Sequence, residues 1–128
     1  MLEKLQALLK NSQSKYYHFP VACFLECQDG SFFGGVNVET SSPNAGICAE
    51  RNALFHALSC GKNKNDFTKL HLYAESKESI FPCFICRQAL TDYCNRELEI
   101  IIYHEDGKIE NYSLDELCPH SFSEENLR

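Results

Sequence analysis

Cys48-Ala49-Glu50-Arg51 and Pro82-Cys83-Phe84-Ile85-Cys86-Arg87-Gln88 are the two stretches on which the reading of this chain turns. The second is a Cys-x-x-Cys that opens a predicted helix, with Pro82 where a first turn tolerates proline. The first sets another cysteine, and a glutamate two residues on, at the start of a second helix. Cys83 and Cys86 lie three apart and so share a helix face. Three thiolates make three tetrahedral corners for zinc. A structural site wants a fourth protein ligand, whereas a catalytic one leaves that corner to water. Glu50 is placed to handle that water's protons and not to bind the metal. Both helix N-termini point at the metal, and their partial positive charge favours thiolate over thiol.

Two blander readings compete. A redox Cys-x-x-Cys pair needs no third cysteine followed by Ala-Glu. A structural zinc needs a fourth ligand, for which His56 and His71 are the spare candidates. Zinc on three thiolates is anionic overall, which weakens it as a Lewis acid, and a cation beside the sulfurs restores part of that strength. Arg51 and Arg87 each adjoin a ligand, and guanidinium suits a buried pairing. Arg51 is expected to hydrogen-bond ligand sulfur, and Arg87 to support the second helix.

Outward from these stretches, the helix over 48–59 carries no Lys, Arg, Asp or Glu after Arg51. Ala53, Leu54, Phe55, Ala57, Leu58 and Cys60 point in every direction around its axis. A helix apolar all round is buried on all sides, which a subunit interface would achieve, so a homo-oligomer is expected. Upstream, Leu2, Leu5, Leu8 and Leu9 line one face of a first helix that stops near Asn11. Residues 19–27 and 32–38 read as strands joined through the Asp29-Gly30 turn signal. Leu70, Leu72 and Tyr73 mark a third strand, the β-branched run 98–103 a fourth, and 109–112 a short fifth. Ser113 and Glu116 form a capping box for a last short helix. This order gives a single domain over 1–128, an α/β fold: a three-layer α/β/α sandwich with a mixed five-stranded sheet.

Composition narrows the function. The chain has 128 residues, 44% hydrophobic and 23% charged, which suits one soluble domain. No apolar run approaches the ~20 residues that span a bilayer. The first ten residues read as an amphipathic helix, not a signal peptide, so a cytoplasmic location with reduced thiols is expected. A net charge of −6 argues against a polynucleotide partner, whose phosphates need basic residues. Cys23, Cys27, Cys60, Cys94 and Cys118, outside the motifs, are expected to be core residues. Between Ser31 and Cys60 the only charged residues are Glu39, Glu50 and Arg51. Glu39 shares a strand face with Asn37. Together they could grip a diol such as a ribose; the alternative is a solvent-facing strand end.

These residues together resemble the small, homotetrameric, zinc-dependent cytidine deaminases over nearly the whole chain. The likeness rests on Phe19-Pro20-Val21, Gly35-Val36-Asn37-Val38-Glu39, Ile47-Cys48-Ala49-Glu50-Arg51 and Pro82-Cys83 through Cys86-Arg87-Gln88, with a weaker match at Leu117-Cys118-Pro119 and Phe122. The resemblance implies hydrolytic deamination of cytidine and deoxycytidine to uridine and deoxyuridine with release of ammonia, in pyrimidine salvage. It implies one zinc per subunit on Cys48, Cys83 and Cys86, and a proton shuttle at Glu50. Asn37 and Glu39 would hold the ribose hydroxyls. Phe19 would stack on the base, and the Ala49 N–H would meet the pyrimidine carbonyl. Phe122 would pack over the base in a neighbouring subunit's site, so the active sites would be shared in a homotetramer. The sequence departs from the family at Pro43, often a Tyr, at Phe84, usually a Gly and here expected to narrow the pocket, and at Ala22, commonly a Gly. Rival functions are a deaminase of another aminopyrimidine such as blasticidin S, a polynucleotide deaminase, and a non-catalytic zinc module. Glu39 weighs against the first and acidic charge against the second. The third requires a fourth protein ligand.

Overall fold

The computed structural model describes residues 1–127. Five strands form one mixed sheet in the order β2-β1-β3-β4-β5. β1 (Val21–Cys27) and β2 (Phe32–Val36) make the expected hairpin, and β1 pairs antiparallel with β3 (Phe67–Ala74) on its other side. Gly30 turns the hairpin with φ +87°, a conformation in which a Cβ would be strained. β3 and β4 (Glu99–Tyr103) run parallel, so the chain between them must cross the sheet, and α3 (Phe84–Tyr93) makes that crossing. β5 (Ile109–Ser113) closes the edge antiparallel to β4. The capping box of Ser113 and Glu116 forms, starting α4 (Leu114–Leu117).

The strand alternation sorts side chains into two cores. Cys23 and Leu25 of β1, Leu70 and Leu72 of β3, and Ile100 and Ile102 of β4 face one way. Ala53, Leu54 and Ala57 of α2 (Ala49–Ser59) and Leu90 of α3 pack on them. Ala22 and Tyr73 face the other way, against Leu5 and Leu9 of α1 (Leu2–Leu9). Helices therefore cover both faces, giving three layers. Among the described residues no helix is long and apolar enough to cross a membrane.

Two local devices place the metal-site elements. Gly35 of β2 lies under the first turn of α2; a Cβ there would meet the Ala53 backbone nitrogen and lie 2.6 Å from the Ala49 carbonyl oxygen. The second device holds the connection over 75–82 that delivers Cys83. Ser79 Oγ donates to Glu110 Oε2, which also bonds His104 Nε2 at 2.6 Å, and Tyr112 OH donates to Glu110 Oε1 at 2.7 Å. Phe81 packs edge-on against Tyr112 with ring centroids 5.4 Å apart. The Ser79 hydrogen bond, helped by Tyr112 and His104, holds the Glu110 carboxyl down at about 2.

Within one chain α2 buries Ala49, Glu50, Ala53, Leu54 and Ala57 while Phe55 stays 41% exposed, so a single chain leaves part of the helix uncovered, as expected. Two expectations need correction. Cys60 is not a core residue; it is exposed at the end of α2, while Cys23, Cys27 and Cys94 are buried and Cys118 is half-buried. β2 ends at Val36, so Asn37 and Glu39 lie past its ladder, where the chain follows isolated bridges from Val38 to Gln13 and Ile47.

Gly35→Ala is expected to lower unfolding stability by about 1–3 kcal/mol through overpacking against α2; an unchanged denaturant midpoint contradicts this close approach. Glu110 has a depressed carboxyl, so its contribution is complete above the unfolded carboxyl range of about 4.3 and is lost as pH falls from there towards about 2. Stability measured across that window is expected to fall less steeply in Glu110→Gln than in the parent, and parallel curves would contradict the role of the clasp.

Candidate active site

Cys48 is the N-cap of α2 and Cys83 the N-cap of α3, with Cys86 in the first turn of α3. The convergence of two helix N-termini therefore brings all three sulfurs together. They lie within 4.8 Å of one another, and the Cys48 and Cys83 Sγ atoms are 3.8 Å apart. Zinc–sulfur bonds of about 2.3 Å in a tetrahedron require sulfurs about 3.8 Å apart, so the donor set fits zinc in type and spacing. Neither spare histidine joins them. The His56 ring faces the Gly34 carbonyl at 3.3 Å, and His71 is held between Glu26 and Tyr103 at 2.8 Å from each. Among the described residues no fourth protein ligand stands beside the three cysteines.

Arg51 braces the cluster. Its Nε donates to Cys86 Sγ at 3.4 Å and its Nη2 to Cys48 Sγ at 3.6 Å. The Cys48 thiol is drawn down to about 5, first by a hydrogen bond from Cys86 and then by Arg51 and Cys83, against the opposing effect of burial. Cys86, buried and donating to that sulfur, is pushed up. Thiols drawn together in this way give up their protons when a cation binds. Arg87 turns away from the sulfurs. Its Nε donates to the Pro82 carbonyl at 2.7 Å, its Nη1 to the Leu117 carbonyl at 2.8 Å, and its guanidinium lies over the Phe84 ring at 4.4 Å.

Glu50 lies in the first turn of α2 and is only 5% exposed. Burial, chiefly, raises its carboxyl to about 7, and the Cys48 charge adds to the rise. A carboxyl poised there can both accept and release a proton at neutral pH. Ala49, also buried, opens the helix, so its N–H has no partner within it.

Asn37, Glu39 and Cys48 open onto one cavity of about 230 Å³, which Tyr17 and Pro43 also line. The two side chains are already bonded to the preceding loop. Asn37 Oδ1 accepts from Ser12 Oγ and the Val21 N–H, and its Nδ2 donates to the Phe19 carbonyl at 2.9 Å. Glu39 accepts from Ser14 Oγ at 2.6 Å and from the Tyr16 and Tyr17 N–H groups at 2.9 Å each. An amide offers two donors and two lone pairs, and a carboxylate about four lone-pair sites. Among the described residues this leaves one donor on Asn37 and about one acceptor site on Glu39, the complement of one hydroxyl that accepts from the amide and donates to the carboxylate. Ser12 and Ser14 went unread in the sequence. Their only signal is a Ser-x-Ser spacing that matches Asn37-x-Glu39.

Phe19 and Phe122 do not line this cavity. Phe19 is exposed but pinned by its backbone, whose N–H donates to Ser14 Oγ at 2.7 Å. Phe122, 56% exposed, lines a different cavity with Phe84, Arg87 and Gln88, and its carbonyl accepts from Gln88 Nε2 at 2.9 Å. Phe84 does not narrow the pocket as expected. It is 77% exposed and lies flat against Arg87, because the N1 side chain of α3 points away from the sulfurs.

Residues 1–102 match the family model described as the cytidine and deoxycytidylate deaminase zinc-binding region. The chain is 34% identical over 130 residues to the cytidine deaminase of Sporosarcina psychrophila, covering 98% of this chain and 94% of that one. It is 30% identical to the cytidine deaminase of Mycoplasma genitalium, covering 95% and 92%. The crystal structure of cytidine deaminase from Burkholderia pseudomallei superposes with a TM-score of 0.89 at 32% identity, covering 94% of each chain.

Arg51→Ala is expected to leave zinc stoichiometry at saturation unchanged and to weaken affinity about 10–100-fold. Competition with a zinc chelator measures this; an unchanged affinity would contradict the bracing role.

Proposed function

We propose that this chain, which belongs to the cytidine and deoxycytidylate deaminase family, hydrolyses cytidine and deoxycytidine to uridine and deoxyuridine with release of ammonia. The observation that carries the reading is the group of three sulfurs at zinc spacing beside a buried glutamate, with no fourth protein ligand among the described residues.

When bound to Cys48, Cys83 and Cys86, one zinc per chain supplies a water acidified towards neutrality. Glu50 takes a proton from the attacking water and delivers it to N3 of cytosine while the oxygen adds at C4. Glu50 then takes the remaining proton from the C4 hydroxyl and gives it to the departing amine, so that the C4–N bond breaks, C4 becomes a carbonyl and ammonia leaves with the uracil nucleoside. Arg51 offsets the charge of the thiolates throughout. Phe19 stacks on the base, and the Ala49 N–H meets the pyrimidine carbonyl. Asn37 and Glu39 hold the sugar by one hydroxyl. The ring hydroxyl common to both nucleosides is the 3′, so both are expected to be substrates of comparable kcat/KM.

The protein works as a homotetramer with shared sites. Phe55, Phe84, Ile85 and Tyr93 form one exposed apolar surface on α2 and α3, larger than scattered exposed residues would leave. Phe122, outside its own chain's Cys48 cavity, is free to reach a neighbour's. Among the described residues no cysteine is in a disulfide, in keeping with a place in the cytoplasm and a role in pyrimidine salvage.

The fall in cytidine ultraviolet absorbance, with and without a zinc chelator, tests the function. Zinc-dependent turnover is expected; turnover of blasticidin S alone would overturn the reading. Glu50→Ala is expected to keep zinc and fold while losing about 10²–10⁴-fold or more in turnover, and substantial retained activity would refute the shuttle. Sedimentation velocity is expected to give a tetramer, and a monomer at micromolar concentration would refute the shared site.

A further inference from the structure

The cavity's sugar side is built from two short segments that meet outside the sheet. Gln13 and Val38 form an isolated parallel bridge, with the Gln13 N–H donating to the Asn37 carbonyl at 3.1 Å and the Glu39 N–H to the Gln13 carbonyl at 2.8 Å. Side chains alternate along extended backbone, so the bridge sets Ser12 against Asn37 and Ser14 against Glu39. Each serine hydroxyl donates to the polar side chain facing it. Ser14 also accepts from the Phe19 N–H. One hydroxyl thus ties the carboxylate to the residue proposed to stack on the base.

We propose that Ser12 and Ser14 are positioning residues of the sugar site, holding the Asn37 amide and the Glu39 carboxylate in the orientation that leaves one donor and one acceptor for a single substrate hydroxyl. This rests on the deaminase reading above and adds a specificity element to it. Each serine occupies one acceptor site, on Asn37 Oδ1 and on Glu39 Oε2. The Val21 N–H and the Phe19 carbonyl fix the amide flip, Oδ1 towards the first and Nδ2 towards the second, and Ser12 donates to the Oδ1 so placed. Three hydrogen bonds, led by that of Ser14, keep the Glu39 carboxyl below its ordinary range, so it stays ionised and acceptor-only at neutral pH. Affinity then comes from a site set before the nucleoside arrives.

The test crosses a protein change with a substrate change. Wild type and Ser14→Ala are each assayed on 2′-deoxycytidine, which carries the 3′-hydroxyl, and on 2′,3′-dideoxycytidine, which lacks it. Ser14→Ala is expected to lose about tenfold in kcat/KM on deoxycytidine, mostly in KM, by misplacing a charged hydrogen-bond partner. On the dideoxy substrate the loss is expected to stay under about twofold. Ser14→Thr, which returns the hydroxyl, is expected to recover most of the loss. Ser12→Ala, acting through Asn37, is expected to show the same substrate dependence and serves if the Ser14 variant does not fold. Equal losses on both substrates, or none on either, overturn the positioning role and leave the deaminase reading standing. Absence of wild-type turnover on deoxycytidine overturns both.

Discussion

Three cysteine sulfurs held within 4.8 Å of one another concentrate negative charge once the thiols ionise, and the fold around them is arranged to bear it. Cys48 and Cys83 each cap a helix, so two positive helix ends face the cluster. Arg51 spans two of the sulfurs. Holding those helix ends in register is the sheet's task. Gly35 lets α2 lie close on β2, Leu54 and Leu90 seat α2 and α3 on one apolar face, and Glu110 clasps the connection that leads to Cys83. If any of these gave way, the sulfurs would drift from the spacing that zinc needs.

The same geometry separates chemistry from recognition. Burial raises the Glu50 carboxyl to about 7 in the first turn of α2, while Glu39, held by a serine and two backbone N–H groups, stays ionised. Two carboxyls of like intrinsic acidity are driven apart by their surroundings, one to move protons and the other to accept a hydrogen bond. Recognition lies where β2 leaves the ladder. Past the ladder that ends at Val36, Asn37 and Glu39 bond to residues 12–21, a segment that also carries Phe19. Stacking and sugar contact are thereby linked through one patch of backbone.

Much of this was legible in the sequence, for physical reasons. Cysteines three apart at a helix start, and a glutamate two residues after a third, restrict the geometry strongly. Five strands and three long helices followed from apolar periodicity and turn residues. What escaped the sequence depended on long-range packing. The Ser12–Asn37 and Ser14–Glu39 pairs join segments 25 residues apart through a single bridge, too short to leave a periodic pattern. Cys60 resembles a core cysteine by composition but falls past the last inward turn of α2. Phe84 carries no local signal of direction; the N1 position of α3 points it outward. The apolar outer face of α2 was visible as composition, but one chain cannot cover it.

X-ray absorption at the zinc edge of the metal-loaded protein tests the central claim most directly, because it counts sulfur and light-atom neighbours separately. Three sulfurs at about 2.3 Å and one oxygen at about 2.0–2.2 Å are expected, with the oxygen exchanging for solvent. Four sulfurs, or three sulfurs with the multiple-scattering signature of an imidazole, would contradict it.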